Sequence, residues 1–586
     1  MKKILSLLLC VIMITSILAG CGSKDENDKG AIIPVYLSTP IGNFDPAYAL
    51  HDDAGVRMLG MIYEGLTRIN DKGKVEKALA KSWSITEDPA EDYYMLQFEL
   101  NTTAWSDGRQ VSADDVVFAW KRILEPEFAS EAASMLYDIK NARNVKAGEM
   151  TIDDLGLYAV DITTLQIEFE TSIDYDLFLE YCASIALTPL REDKVMSLEN
   201  WGSNPSTIVS NGPFFLKSYK EGISMELERS VYYYRNIEKE DSLFKYVTPY
   251  RFVVDFSKDA EAQLTSFNNG DIFFINELPL SQRSANAGSA EVKDIPAAHT
   301  YVFNTNKAPF DNANVRKALS MAIDRNAIAD IVTFAKASTG IITNGLFEDS
   351  KGTSFRANGG QLISPTGDVA GAKSLLGSAS GSFSITIRPN DVDRAVADYV
   401  VGVWSQLGFN VTVEELGTEY YMENEYDQWR DLFEIAYRTS DFDVIAIDMN
   451  MLSTDPFSTL ASFSKPFSGG AIDLVAGNYD FVPHVSGYSD DSYDALLEEI
   501  FAEKSRAARV SKLHDAEKML IDAMPVMPIF EYQDAYLISD ELSNVKITHF
   551  GYKIFNKTKL KDYLSHTTTA TATDSNGAET TAAAAE

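Results

Sequence analysis

Cysteine is nearly absent, with three in 586 residues. Cys10 falls inside an N-terminal apolar run and Cys21 just past it, so Cys182 stands alone and no internal disulfide can staple the fold. Cations are scarce as well: 51 Lys and Arg face 86 Asp and Glu, a formal charge of −35. That balance excludes a nucleic-acid binder, which needs clustered Lys and Arg, and fits a soluble, self-repelling surface. Beyond the N-terminus no stretch reaches the roughly 18 uninterrupted apolar residues of a membrane span. Catalytic patterns are missing too. No glycine-rich loop with a following Lys, no Gly-x-Ser-x-Gly elbow and no His-Glu-x-x-His pair occurs. The six histidines, His51, His299, His484, His514, His549 and His566, never fall at metal-ligand spacing. Carboxylates are so abundant that their number alone does not indicate an acid–base pair. Cys182, between Leu177-Phe178-Leu179 and Ile185-Ala186-Leu187, reads as core. The expectation is a protein with no catalytic residue, no metal and no cofactor.

What is present starts with Lys2-Lys3 and the apolar run Ile4 to Leu18, broken by Thr15-Ser16 and too short to span a bilayer. Leu18-Ala19-Gly20-Cys21 resembles the lipobox of bacterial lipoproteins. Residues 1–20 then read as a signal peptide, Cys21 as the lipidated residue, and 21–30 as a polar tether. The chain would sit on the extracytoplasmic face of the cell membrane. With 45% hydrophobic and 11% aromatic residues the rest is globular, and too long for one core. Residues 565–586, rich in Thr and Ala, read as a disordered tail.

Between these ends, strand-like and helix-like segments alternate. Tyr94, Leu96, Phe98 and Leu100, and later Leu165, Ile167 and Phe169, recur at the period-two spacing of half-buried strands. Ser112 with Asp115 predicts a capped helix whose stripe is Val116, Val117, Trp120, Ile123 and Leu124. Asp311 is expected to cap a helix bearing Val315, Ala318, Leu319, Ala322 and Ile323, with Arg316 and Asp324 two turns apart on it. Phe383–Ile387, a helix through Trp404, and Phe409–Val413 read as strand, helix, strand. The class is a multidomain α/β chain.

Five blocks add a resemblance. Tyr301-Val302-Phe303-Asn304-Thr305-Asn306, Pro309-Phe310-Asp311, Val315-Arg316-Lys317-Ala318-Leu319 and Ala322-Ile323-Asp324-Arg325 form the central one. Around it lie Tyr63-Glu64-Gly65-Leu66 with Ala78 to Trp83, Trp105-Ser106-Asp107-Gly108 with Ala113 to Val116, Asn211-Gly212-Pro213-Phe214, and Ala516 to Leu520 with Met524 to Pro528. In that order they resemble the extracellular solute-binding proteins of peptide and nickel ABC importers. Physically they are mostly scaffold: Asp107-Gly108 a turn, Gly212 extended or positive-φ backbone, Pro525 and Pro528 the end of a helix and the start of an edge strand.

The resemblance implies a two-lobed, periplasmic-binding-protein-like fold with a hinge and an inserted subdomain. Lobe I would take 31–68, 188–300 and 525–564, the insert 69–187, and lobe II 301–524. It implies a monomer that captures peptides between the lobes and delivers them to an ABC permease and its ATPase. A sensor of peptide signals, a binder of a sugar or metal chelate, and a secreted hydrolase are the alternatives. Two segments would reach ligand. The first follows Phe44-Asp45-Pro46 and brings Leu50, His51, Asp52 and Asp53; the second follows Phe442-Asp443-Val444 and brings Asp448, Met449, Asn450 and Leu452, ending at Asp455-Pro456. Family members typically carry a Trp and then an amine-pairing Asp there. Here Met449 and Leu452 occupy those places, so either Asp448 takes the pairing from a shifted register, or the ligand lacks a free α-amine, or the segment is a misaligned loop.

Overall fold

A computed structural model describes residues 29–51, 53–198, 201–220, 222–234, 247–423, 426–451, 453–470 and 481–566. Cys10, Cys21, the signal segment, the tether up to residue 28 and the tail from residue 567 lie outside them. Three sheets carry the architecture. The first orders its strands Ile32–Pro34, Arg251–Asp255, Ser224–Arg229 and Phe214–Lys220. The second is an antiparallel set in the order Ala80–Asp88, Tyr93–Leu100, Thr164–Phe169 and Leu157–Asp161. Its register sets Leu96 opposite Ile167 and Phe98 opposite Leu165, all four buried, as the period-two pattern requires. Helix Ala113–Leu124 packs beside this sheet, started by a capping box of Ser112 and Asp115. Val116, Trp120, Ile123 and Leu124 are buried on it, while Val117 is only partly covered.

The third sheet is the largest. Its order is Phe274–Ile275, Val526–Ile538, Glu291–Phe303, Val444–Asn450, Gly381–Ile387 and Phe409–Glu415, with Ala335–Ala337 also pairing the 526–538 strand. Gly381–Ile387 and Phe409–Glu415 run parallel around helix Asp391–Gln406, so the strand, helix, strand reading holds. Trp404 on that helix meets Tyr301 and Phe383 edge-on, tying helix to sheet. Glu291–Phe303 and Val526–Ile538 pair along their length, with a register break between Asp294 and Ala298 where Pro296 supplies no N–H.

Local expectations needed correction in three places. The helix of the central block runs Ala313–Ala322 and is capped by Asn312, whose side chain accepts from Asn314 N, rather than by Asp311. Asp324 is not on that helix: it caps the next one, Arg325–Val332, accepting from Ala327 N. Pro528 does not lie on an edge strand, since 526–538 pairs on both sides. At Pro528 itself only Thr300 is opposite, and its carbonyl accepts from Arg325 Nε at 2.7 Å. Arg316 anchors a neighbouring turn, donating to Ala523 and Met524 carbonyls at 3.0 and 3.1 Å. Gly212 donates to Ile62 O at 2.7 Å, and a Cβ there would sit 2.4 Å from that same oxygen, so close approach dictates the glycine.

Candidate ligand cleft

The two segments singled out in the sequence come together. The 3₁₀ turn Pro46–His51 packs against strand Val444–Asn450. Asp45 fixes the start of that turn: it accepts from Ala47 N at 3.1 Å and holds Arg122 through both carboxylate oxygens, at 3.1 and 2.5 Å. Leu50 and His51 close the turn and Asp53 opens helix Asp53–Ile62. The side chains of these three, and all of Asp52 and Leu452, lie outside the described residues.

Strand Val444–Asn450 has unequal edges. Glu291–Phe303 pairs it from Phe303 opposite Val444 to Ala297 opposite Asn450. On its other side Gly381–Ile387 reaches only Val444 and Ile445. The chain then turns away at Arg388-Pro389, and Asn390 caps helix Asp391–Gln406. Among the described residues, no strand takes the second edge of Ala446 to Met449. A row of backbone N–H and C=O groups there is the template onto which an extended chain adds as a strand. Met449 is buried in the core and Asn450 half-buried.

Asp448 faces a buried network. Its Oδ1 lies 3.0 Å from His299 Nδ1 and accepts from the Tyr532 hydroxyl at 2.7 Å. His299 is 1% exposed, stacks on Phe530 and lies 4.0 Å from Asp393. Burial opposes charge on this imidazole, yet the hydrogen bond to Asp448 and the field of Asp393 outweigh it, and its pKa ends up raised. Asp393 is pushed up to about 6, by burial first and by Asp448 also. Burial acts on Asp448 too, but His299 overrides it and holds the carboxyl low. Both shifts favour the charged form of the His299–Asp448 pair. An amine approaching Asp448 must share a carboxylate already bonded to the His299 ring and the Tyr532 hydroxyl.

Around the cleft, elements of residues 130–180 grip elements of 437–509. Glu180 accepts from Arg506 Nη1 at 3.1 Å and from Thr454 N at 3.2 Å. Arg506 and Arg509 both converge on the fully buried Asp455, at 2.9 and 2.7 Å. Lys504 meets Asp138 at 2.7 Å, Arg143 meets Glu498 at 2.8 Å, and Tyr437 donates to Glu131 at 2.7 Å. Residues 131–180 and 437–506 are therefore in contact across this seam. Glu180, Arg506, Arg509, His299, Asp393 and Tyr532 escaped the sequence reading, because pairs more than 50 residues apart leave no local pattern. Cys182, expected as core, is fully buried.

Residues 74–471 match the profile of the bacterial extracellular solute-binding proteins, family 5. The chain belongs to that family. It is similar to the oligopeptide-binding protein OppA of Bacillus subtilis, 26% identical over 96% of this chain and all of that one. Similarity to the dipeptide-binding protein DppE of the same organism is 25%, covering 91% of this chain and 92% of the relative. Among solved structures, the substrate-binding domain of an oligopeptide ABC transporter from Bacillus anthracis aligns with a TM-score of 0.75, at 21% identity over 90% of this chain and 99% of that one. The murein tripeptide-binding protein MppA of Escherichia coli aligns at 0.72 in one structure and 0.52 in its unliganded open form, each at 22% identity over 91% of this chain and 98% of that one. The fold is the two-lobed one, and the family is one of solute-binding proteins.

Proposed function

We propose that this protein captures peptides between its lobes and delivers them to an ABC permease driven by its ATPase, acting as a binder and not as an enzyme. The observation that carries this reading is the vacant edge of Ala446 to Met449, faced by the turn Pro46–His51 from the other side of the cleft. Main-chain hydrogen bonds to such an edge give affinity that tolerates varied side chains, which suits a peptide carrier. The relatives named oligopeptide-binding and dipeptide-binding support the same ligand class.

In this reading lobe I takes 31–68, 188–300 and 525–564, the insert 69–187 and lobe II 301–524. The paired strands Glu291–Phe303 and Val526–Ile538 connect the lobes as the hinge. Leu50, His51, Asp52 and Asp53 approach ligand from one side, and Asp448, Met449, Asn450 and Leu452 from the other. A lipid on Cys21 keeps the monomer at the outer face of the membrane, near its permease. Among the described residues no helix is long and apolar enough to cross a bilayer.

The test is mass spectrometry of small molecules released on denaturing protein purified from its native host. Peptides are expected. Recovery of a sugar or a metal chelate in their place would overturn the reading.

A further inference from the structure

Next to the vacant strand edge, and sharing Asp448 with it, lies a polar cavity walled by both sides of the cleft. Its lining includes Arg57, Asn276 and Glu277 from the residues assigned above to lobe I, Arg388 and Asp393 from those assigned to lobe II, and Tyr532 from the long paired strands. Asn276 is 4% exposed, and neither its amide oxygen nor its amide nitrogen has a hydrogen-bond partner. The buried Oε2 of Glu277 lacks one as well. Buried polar groups are nearly always satisfied, so a carboxamide unmet at both ends beside a carboxylate with a buried, unmet oxygen marks a place where a ligand group completes the bonding.

The charges around the cavity limit what that group is. Arg57, Arg283 and Arg388 stand against Glu277, Asp393 and Asp448; of these Arg388 is already paired with Asp431 at 3.0 Å and Asp448 with His299, and Asp534 is paired with Lys553. A lone ammonium still meets Arg57 and Arg283, and a lone carboxylate meets Glu277 and Asp393. An aliphatic group leaves Asn276 and Glu277 buried with their bonds unmade. A primary carboxamide has no net charge, donates through its NH₂ to Glu277 Oε2 and Asn276 Oδ1, and accepts from Asn276 Nδ2. A residue of an added strand lying opposite Asp448 projects its side chain to the same face as Asp448, which is the face of this cavity.

We propose that this cavity receives the carboxamide side chain of a glutamine or asparagine at one position of the bound peptide. The proposal rests on the peptide reading above and adds a selectivity to it. Because both sides of the cleft supply the walls, the occupant also favours closure.

The test is calorimetry on the full-length protein, freed of ligand by unfolding and refolding, with tripeptides of alanine carrying Gln, Leu, Lys or Glu at each position in turn. At one position Gln is expected to bind at least tenfold tighter than the other three. Asn276→Leu should erase that preference at that position alone. Asn276→Asp, which keeps the shape and loses the donor, should shift it toward Lys, and serves if the Leu variant does not fold. Peptides that bind with no carboxamide preference at any position would overturn this inference and leave the peptide reading intact. Preference retained in Asn276→Asp would also overturn it. Failure of every tripeptide to bind would refute both together.

Discussion

Glu180→Gln is the sharpest probe of how the cleft stays shut. Glu180 lies on helix Tyr175–Tyr181, while its partners Thr454 and Arg506 come from the other side of the seam. Breaking a buried ion pair costs about 3–5 kcal/mol where it strands a charge. Arg506 is not stranded, because Asp455 holds its Nε at 2.9 Å. Desolvation also offsets much of the attraction: burial raises the Glu180 carboxyl above the usual range, and Arg506 only partly restores it. What remains is one charge-assisted hydrogen bond, about 1.5–3 kcal/mol, and the glutamine oxygen can still accept from Thr454. Taking the low end, the closed form loses about 1.5 kcal/mol, a factor of about ten in the closed-to-open ratio. Ligand affinity measured by calorimetry should weaken by about that factor, since apparent affinity scales with the population competent to close. The melting temperature of the ligand-free protein should hardly move. Asp455→Asn is the contrast: it leaves Arg506 and Arg509 buried with one carboxylate fewer, so it should lower stability by about 3–5 kcal/mol. If Glu180→Gln lowers the melting temperature as Asp455→Asn does while affinity stays unchanged, the pair belongs to a rigid body and not to a closure contact.

Two further outcomes follow from particular residues. The raised pKa of His299 means that its ion pair with Asp448 contributes fully below pH 6.5 and is lost as pH rises through the higher folded value. Thermal unfolding between pH 5 and 9 should therefore show wild type losing more stability above pH 6.5 than His299→Gln; parallel curves would remove His299 as the source. Cys21→Ser should release the protein from membranes into the medium, scored by fractionation, and retention in the membrane fraction would contradict the anchor.

Sequence pattern made the local elements legible wherever burial has a short period. Leu96, Phe98 and Leu100 were found because alternate residues of one strand share a face, and the Ser112 helix because its cap and its stripe are both local. Caps one residue apart were not separable: Asp311 and Asn312 are both good N-cap types, and only the backbone decides between them. The Asp324 error has a related cause. Ile323 continues an apolar period across a helix break, so periodicity runs on where the helix does not. At the cleft, the family resemblance pointed to both segments but not to their partners. Asp448 is a candidate for a ligand amine in the sequence only because Leu452 stands where the family carries its pairing Asp and a shifted register would bring Asp448 there. His299 lies 149 residues away and Tyr532 84, joined to it only through strand pairing.

The strength of the seam bears on function as much as its geometry does. A carrier must open when empty and close when filled, so contacts made only in the closed form cannot be strong, or the empty protein would shut and exclude its ligand. Glu180 and Arg506 meet this demand through opposing terms. Burial penalises both charges; their attraction and the Thr454 bonds outweigh the loss at Arg506 but recover only part of it at Glu180, leaving a small net effect with a strict geometry. Asp455 does the opposite work: two arginines hold its carboxyl below the usual range despite full burial, and its bond to Arg506 Nε keeps that side chain aimed across the seam. The energy that tips closure must then come from ligand. A backbone edge supplies a part that varies little between peptides, and a cavity with an unmet carboxamide supplies a part that does. Selectivity in such a protein therefore resides in residues such as Asn276 and Glu277, which touch the variable side chain, while the strand edge and the seam stay indifferent to which peptide is bound.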